Sequence, residues 1–386
     1  MENNVVETKF NEDSKEDEEK LNEKNIQLLE SIKSFFNGPN KDENGKIEDI
    51  SYELWVEKNP NIKKLCESYE VEYKEEQNLK DANSIKKNNK SKNPFGIIEN
   101  HDFGCELKLL KWITEDENHK KKFIKFENIN KLNRYNDILP YEYNSVSIDI
   151  NKNDKNDINN YINGSYISSP FDNKTKLFIA TQTPLKDNIS SFWKMIYNKK
   201  IKLIIMLSDL SEEKEGKYNI YWPNNKEENL KYNEGDLDLN IELIHKEDIA
   251  PQIAILRKFK INNDLEVKQI QIISWPERGI PTGEDYLVHM VFEKLLKRFN
   301  DQIKDNIPVV VHCYDGVGRT GTLISIFLIN MCLEKLKILK EEPTICIFNV
   351  IRRLREQRYS FVTDKEQYKF IYHFTLYWIK KNYPLW

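Results

Sequence analysis

The chain has 386 residues, 39% hydrophobic and 32% charged, with a formal net charge of −4 from 59 Lys and Arg against 63 Asp and Glu. That length supports one large domain or two small ones. Near-balanced, interspersed charge excludes a dedicated nucleic-acid binder, and the longest apolar run is too short for a membrane span.

Residues 1–95 read as an N-terminal extension, largely polar, with residues 1 to about 22 acidic and expected to be disordered. Ile26, Leu28, Leu29, Ile32 and Phe35 give partial helical periodicity, predicting a helix from Asn25 to Phe36, broken by Asn37-Gly38-Pro39-Asn40. An apolar patch from Tyr52 to Leu65 is expected to dock on the main domain, and the basic run Ser84 to Lys92 reads as a solvated linker. The extension is a candidate surface for an unidentified partner.

Residues 96–386 read as one domain in which strand and helix signals alternate. Strands are predicted at Leu177–Thr181, Ile201–Leu207, Ile253–Ile261, Val267–Trp275 and Ile307–Cys313. Helices are predicted at Asn188–Lys199, Asp285–Phe299, Thr320–Leu336, Thr344–Gln357 and Lys365–Ile379. Ile347, Val350, Ile351 and Leu354 form a core-facing stripe in the fourth helix, and Thr363 or Asp364 can cap the fifth. The fold class is α/β (α+β), a twisted mixed sheet flanked by helices.

The densest chemistry lies at Val311-His312-Cys313-Tyr314-Asp315-Gly316-Val317-Gly318-Arg319-Thr320, between the last predicted strand and a buried helix. A strand, a glycine loop and a helix N-terminus aim several backbone N–H groups at one spot and make an anion cradle. A cysteine on its floor is a nucleophile for a phosphoryl group. The loop donors and helix dipole are expected to stabilise the thiolate and lower its pKa. Arg319 can grip two phosphate oxygens, and Gly316 and Gly318 allow positive φ and close approach. Thr320 can offer its hydroxyl to the departing sulfur. The other cysteines, Cys66, Cys105, Cys332 and Cys346, fit neither a zinc site nor a disulfide framework. No metal and no cofactor is expected. The opening Met1-Glu2-Asn3-Asn4 does not read as a signal peptide, so the expected compartment is a reducing, cytoplasmic one.

His312-Cys313 with Gly316, Gly318, Arg319 and Thr320 resembles the signature loop of the protein tyrosine phosphatases. Asn133 to Tyr141 resembles the phosphotyrosine-recognition loop of the phosphotyrosine-specific branch. Tyr161 to Ile167, Phe178 to Leu185, Phe192 to Met195 and Tyr221 to Pro223 resemble core segments. Ser274 to Pro281 resembles the mobile acid loop, and Leu354 to Arg358 with Glu366 to Tyr368 resembles the last catalytic segment.

The resemblance implies hydrolysis of phosphotyrosine through a cysteinyl-phosphate on Cys313, with Arg319 stabilising the phosphoryl oxygens. It places the general acid and base at Glu277. Tyr135 would stack on the substrate ring and Asp137 would bind the phosphopeptide backbone. Tyr314, Asp315, Gly316, Val317 and Gly318 would surround the phosphate. His312 would orient the loop by hydrogen bonding, and Trp275 would anchor the acid loop, with Gly279 as its flexible point. Glu212 and Lys217 would buttress Arg319 and the acid loop. The implied partner is a phosphotyrosine-containing protein, with no nucleic acid.

Three positions depart from the family pattern. Glu277 stands where Asp is usual, displacing the carboxyl by about 1.5 Å. Asp315 replaces a small neutral residue, and a carboxylate roughly 6 Å from a phosphate would repel it by about 3 kcal/mol at an effective dielectric near 20. Thr363 occupies the place of the glutamine that positions the hydrolytic water, with Gln367 able to substitute in part. The sequence therefore supports two readings, a phosphatase of reduced activity and a phosphotyrosine-binding pseudophosphatase or scaffold. A dual-specificity or lipid phosphatase is a third, disfavoured by Asn133-Arg134-Tyr135.

Overall fold

The computed structural model describes residues 20–33, 35, 103–115, 121–149, 160–209, 219–234, 237–282, 285–341 and 345–383. Strands β1 Ser145–Ser147, β2 Tyr161–Ser168, β3 Lys176–Gln182, β4 Leu203–Met206, β5 Asn229–Glu234, β6 Leu237–Ala250, β7 Ala254–Ile261, β8 Leu265–Ile272 and β9 Val309–Cys313 form one sheet. Their order is β1-β2-β3-β9-β4-β8-β7-β6-β5. The central strands β3, β9, β4 and β8 run parallel, and antiparallel strands complete both flanks. This is the expected mixed sheet.

The helices are α1 (residues 20–33), α2 Phe103–Glu115, α3 Ile189–Asn198, α4 Asp285–Ile303, α5 Gly318–Leu339, α6 Ile347–Arg355 and α7 Lys365–Asn382. Parallel strands of one sheet need crossovers long enough to hold a helix, and α3 fills the one from β3 to β4 and α4 the one from β8 to β9. Side chains alternate along β9. Val309, Val311 and Cys313 join the larger apolar cluster, while Val310 joins the one containing Phe192 and Trp193 of α3. Burial on both faces explains why this strand reads as an unbroken apolar run.

The predicted strand Val267–Trp275 ends at Ile272. Beyond it the Ser274 carbonyl accepts from the Thr282 N–H at 2.7 Å, so loop contacts replace the ladder. The helix expected from Thr320 begins at Gly318. Asp364 caps α7, its carboxylate accepting from the Glu366 N–H at 2.8 Å. The stripe of α6 is buried as expected. The predicted elements did not include α2, β1, β2, β5 or β6.

The helix expected at Asn25 to Phe36 is seen as α1, with its start at residue 20. Ile32 and Phe35 are buried in the same apolar cluster as Phe103 and Leu107 of α2 and Ile371 of α7. Residues 1–19, the Tyr52–Leu65 patch and the Ser84–Lys92 run lie outside the described residues.

Candidate active site

The C-terminal ends of the parallel strands lie along one edge of the sheet, the usual ligand position in such folds. β9 delivers Cys313 to its floor, only 1% exposed, and the chain turns through Tyr314 to Val317 before α5 starts. Gly316 sits at φ +72°, and a Cβ there would lie 2.2 Å from the Thr181 carbonyl oxygen, so only glycine fits. Gly318 does not supply a second positive φ. It is the first residue of α5, and its bare Cα makes room for Thr363 Oγ1 and the Gln367 amide, at 2.8 and 3.1 Å from a Cβ built there.

The Asp315 carboxylate turns into the cradle. Its Oδ1 accepts from the Val317 N–H at 2.9 Å, from the Gly318 N–H at 3.4 Å and from the Cys313 thiol at 3.2 Å. The sequence leaves the direction of Asp315 open, and here it points back onto its own loop. The carboxylate takes up loop donors itself, because a two-residue reach folds its side chain back onto the turn. The expectation of a lowered thiol pKa is corrected. Burial and then the Asp315 charge push the Cys313 thiol up to about 11, against the pull of Arg319 and Thr320. In this arrangement Cys313 is a protonated hydrogen-bond donor.

The loop is clamped from beneath by Arg358, a fully buried guanidinium. It donates to the Gly316 carbonyl at 2.7 Å, to Asn163 Oδ1 at 2.9 Å and to Ser165 Oγ at 3.2 Å. Burial lowers its pKa to about 10, which leaves it charged at neutral pH. On the other side the Thr183 N–H and hydroxyl both donate to the Cys313 carbonyl, at 2.9 and 2.8 Å. That spends the Thr183 proton, so His312 Nδ1 carries the ring proton toward Thr183 Oγ1 at 3.1 Å. His312 Nε2 then accepts from the Tyr221 hydroxyl at 2.7 Å, while Tyr221 accepts from Gln269 Nε2 at 2.8 Å. Burial first of all drives the His312 pKa down to about 3, so it is a neutral, fixed hydrogen-bonder.

Arg319 is 3% exposed and donates through Nη1 to the Trp275 carbonyl at 2.8 Å, tying the cradle to the loop after β8. Trp275 is buried and its indole N–H donates to the Gly279 carbonyl at 2.8 Å. The Thr282 hydroxyl adds a 2.9 Å bond to the Ser274 carbonyl. These contacts close the loop stem and leave Glu277 exposed at its tip. The loop that follows Asn133 carries Tyr135 and Asp137. Asn133 Oδ1 accepts from the Tyr161 hydroxyl and from Asn163 Nδ2, both at 2.8 Å, which fixes its root. Tyr135 is 41% exposed, and its phenol pKa is raised by burial, then by Tyr314, Asp315 and Glu277. Tyr135 therefore lies within electrostatic reach of Asp315 and Glu277. Asp137 is exposed on the same loop.

Thr320 is buried in the first turn of α5, and Gln367 is buried with its Oε1 lacking a hydrogen-bond partner, close to Gly318. Glu212 and Lys217 lie outside the described residues. Arg358, Asn163, Thr183 and Tyr221 have no role in the sequence reading. Their only sequence signal is membership of the family-like segments, because their partners are distant in the chain. Among the described residues no group of three or more His, Cys, Asp or Glu could hold a metal ion. Among them, too, no helix is long and apolar enough to cross a membrane.

The family model described as protein-tyrosine phosphatase matches residues 129–377. Among curated relatives, the chain is 32% identical over 244 residues to mouse receptor-type tyrosine-protein phosphatase eta, covering 62% of this chain and 18% of that one. It is 32% identical over 250 residues to human tyrosine-protein phosphatase non-receptor type 18, covering 64% and 50%. The chain thus spans about a fifth of the receptor-type relative and half of the non-receptor one. Among solved structures, the catalytic domain of human protein tyrosine phosphatase non-receptor type 18 superposes with a TM-score of 0.59 at 27% identity, covering 72% of this chain and 95% of that one. PTPN18 in complex with HER2 phosphopeptides superposes with a TM-score of 0.62 at 27% identity, covering 73% and 94%.

Proposed function

The chain belongs to the protein-tyrosine phosphatase family, and from that premise we propose that it hydrolyses phosphotyrosine in proteins through a cysteinyl-phosphate intermediate. The observation that carries this reading is the carboxylate already seated on the Val317 and Gly318 N–H groups above Cys313 Sγ. A cradle that holds a carboxylate oxyanion has the donors a phosphoryl group needs.

The phosphoryl group enters by displacing Asp315 from those donors. Cys313 loses its proton to solvent, its thiolate attacks phosphorus, and the bond to the tyrosine oxygen breaks. Glu277 gives its proton to that oxygen. Water, deprotonated by Glu277, then releases phosphate from sulfur, with the Gln367 amide beside the cradle as the group available to orient it. Arg319 stabilises the equatorial oxygens in both steps. The Tyr135 wall suits a long aromatic substrate, and a phosphotyrosine protein is the proposed partner. We place the protein in the cytoplasm, where a reducing environment preserves the thiol. Residues 96–386 are the proposed catalytic domain, with the extension before it open to a partner.

The Cys313–Asp315 bond favours a second reading. A thiol protonated at neutral pH and a cradle filled by its own loop give a site that binds phosphotyrosine without turning it over. One assay separates the two: phosphate release from a phosphotyrosine peptide by the natural chain, Cys313→Ser and Asp315→Ala. The phosphatase reading expects slow release by the natural chain, none by Cys313→Ser and at least about tenfold faster release by Asp315→Ala. Binding without release by the natural chain, with release restored by Asp315→Ala, establishes the second reading. No release and no binding by either sinks both.

A further inference from the structure

The residue after the proposed nucleophile is a large aromatic, Tyr314, and its ring meets two consecutive residues of one loop, Arg134 and Tyr135. The Arg134 guanidinium carbon lies 4.4 Å from the centre of the Tyr314 ring. Arg134 is itself held by the end of β3. Its N–H donates to Gln182 Oε1 at 3.0 Å and its Nε to the Thr183 carbonyl at 3.0 Å. Thr183 also holds the Tyr314 backbone, donating its N–H to that carbonyl at 3.2 Å. The other side of Tyr314 meets Tyr135, ring centres 6.1 Å apart and planes at 79°, an edge-to-face pair. A continuous stack thus runs from β3 through Arg134 and Tyr314 to Tyr135.

Tyr135 is 41% exposed and projects from a loop. Half-exposed aromatic side chains on loops rotate readily unless something holds them. Tyr314 is that support. It is partly buried, packed against the apolar cluster on the α3 side of the sheet, and its backbone is bonded to Thr183. We propose that Tyr314 is a positioning residue that sets the tilt of Tyr135, and so selects aryl phosphates over small phosphate anions. The inference rests on the phosphotyrosine reading and names the part of the site that gives it aromatic selectivity.

In the proposed site the phosphate donors are backbone groups of the loop and the Arg319 guanidinium, whereas Tyr135 meets only the ring of the substrate. Loss of the Tyr314 ring therefore weakens ring recognition more than phosphate recognition. The test is calorimetric titration of the full chain with O-phosphotyrosine and with inorganic phosphate. It compares the natural residue, Tyr314→Phe and Tyr314→Ser, each with Asp315 and with Asp315→Ala. The expected result is a preference for phosphotyrosine over phosphate that falls about tenfold in Tyr314→Ser and stays within about twofold in Tyr314→Phe, any loss of phosphate affinity being smaller than the loss of phosphotyrosine affinity. A preference that survives Tyr314→Ser overturns the inference and leaves the phosphotyrosine reading standing. Equal loss of both ligands also overturns it, because Tyr314 then serves the loop and not the wall. No preference for phosphotyrosine in either Asp315 background overturns the phosphotyrosine reading, and the inference with it.

Discussion

Burial carries two ionisable side chains of the site, Cys313 and His312, far from their ordinary protonation behaviour. Cys313 donates to Asp315, which is consistent with a thiol pushed up to about 11. Asp315→Ala removes the adjacent anion and the acceptor together, so the thiolate becomes easier to form. Alkylation of Cys313 by iodoacetamide, followed by peptide mass mapping across pH, is expected to move to lower pH by about one unit or more. His312, by contrast, stays neutral down to about pH 3 when folded. Its unfolded pKa is near 6.5, so between those values only the unfolded state takes the proton. Its contribution to stability is present above pH 6.5 and is lost as pH falls toward 3. Urea unfolding in that window is expected to lose up to one proton of pH dependence in His312→Asn. From sequence, Asp315 stood out by its charge and His312 by its place beside the cysteine. The direction of either side chain depended on Val317, Thr183 and Tyr221, which a linear reading cannot orient.

At the scale of elements, the loop between β9 and α5 owes its shape to neighbours on both sides. Gly316 lies against the Thr181 carbonyl of β3, and Arg358, just beyond α6, bonds the Gly316 carbonyl. Gly316→Ala combines a forbidden approach with a strained φ, and is expected to cost on the order of 3 kcal/mol by urea unfolding and to abolish anion binding. The β9–loop–α5 unit was legible because a doubly buried parallel strand and a buried helix both leave continuous apolar runs. The antiparallel flank was harder. β6 spans Leu237–Ala250 with register shifts against β7, and β5 carries the mostly polar NLKYNE. Propensity is weak there, and strand identity comes from pairing.

The whole molecule extends its core into the N-terminal region. Ile32 and Phe35 of the α1 segment are 0% and 3% exposed within the main apolar cluster. Ile32→Ala and Phe35→Ala are each expected to cost about 2–5 kcal/mol, read as a lower urea midpoint. Removal of residues 1–36 is expected to lower the melting temperature of the remaining chain. Unchanged stability in all three would mean that α1 contributes nothing to the fold. Sequence alone determined the mixed α/β class, the cradle and the family, because each rests on local order: apolar periodicity, two glycines and an arginine at set offsets from a cysteine. Tertiary structure alone decided the state of that cradle. Whether a thiol keeps its proton depends on burial and on which charge faces it. Here the chain returns Asp315 onto its own oxyanion donors and buries Cys313 beneath them.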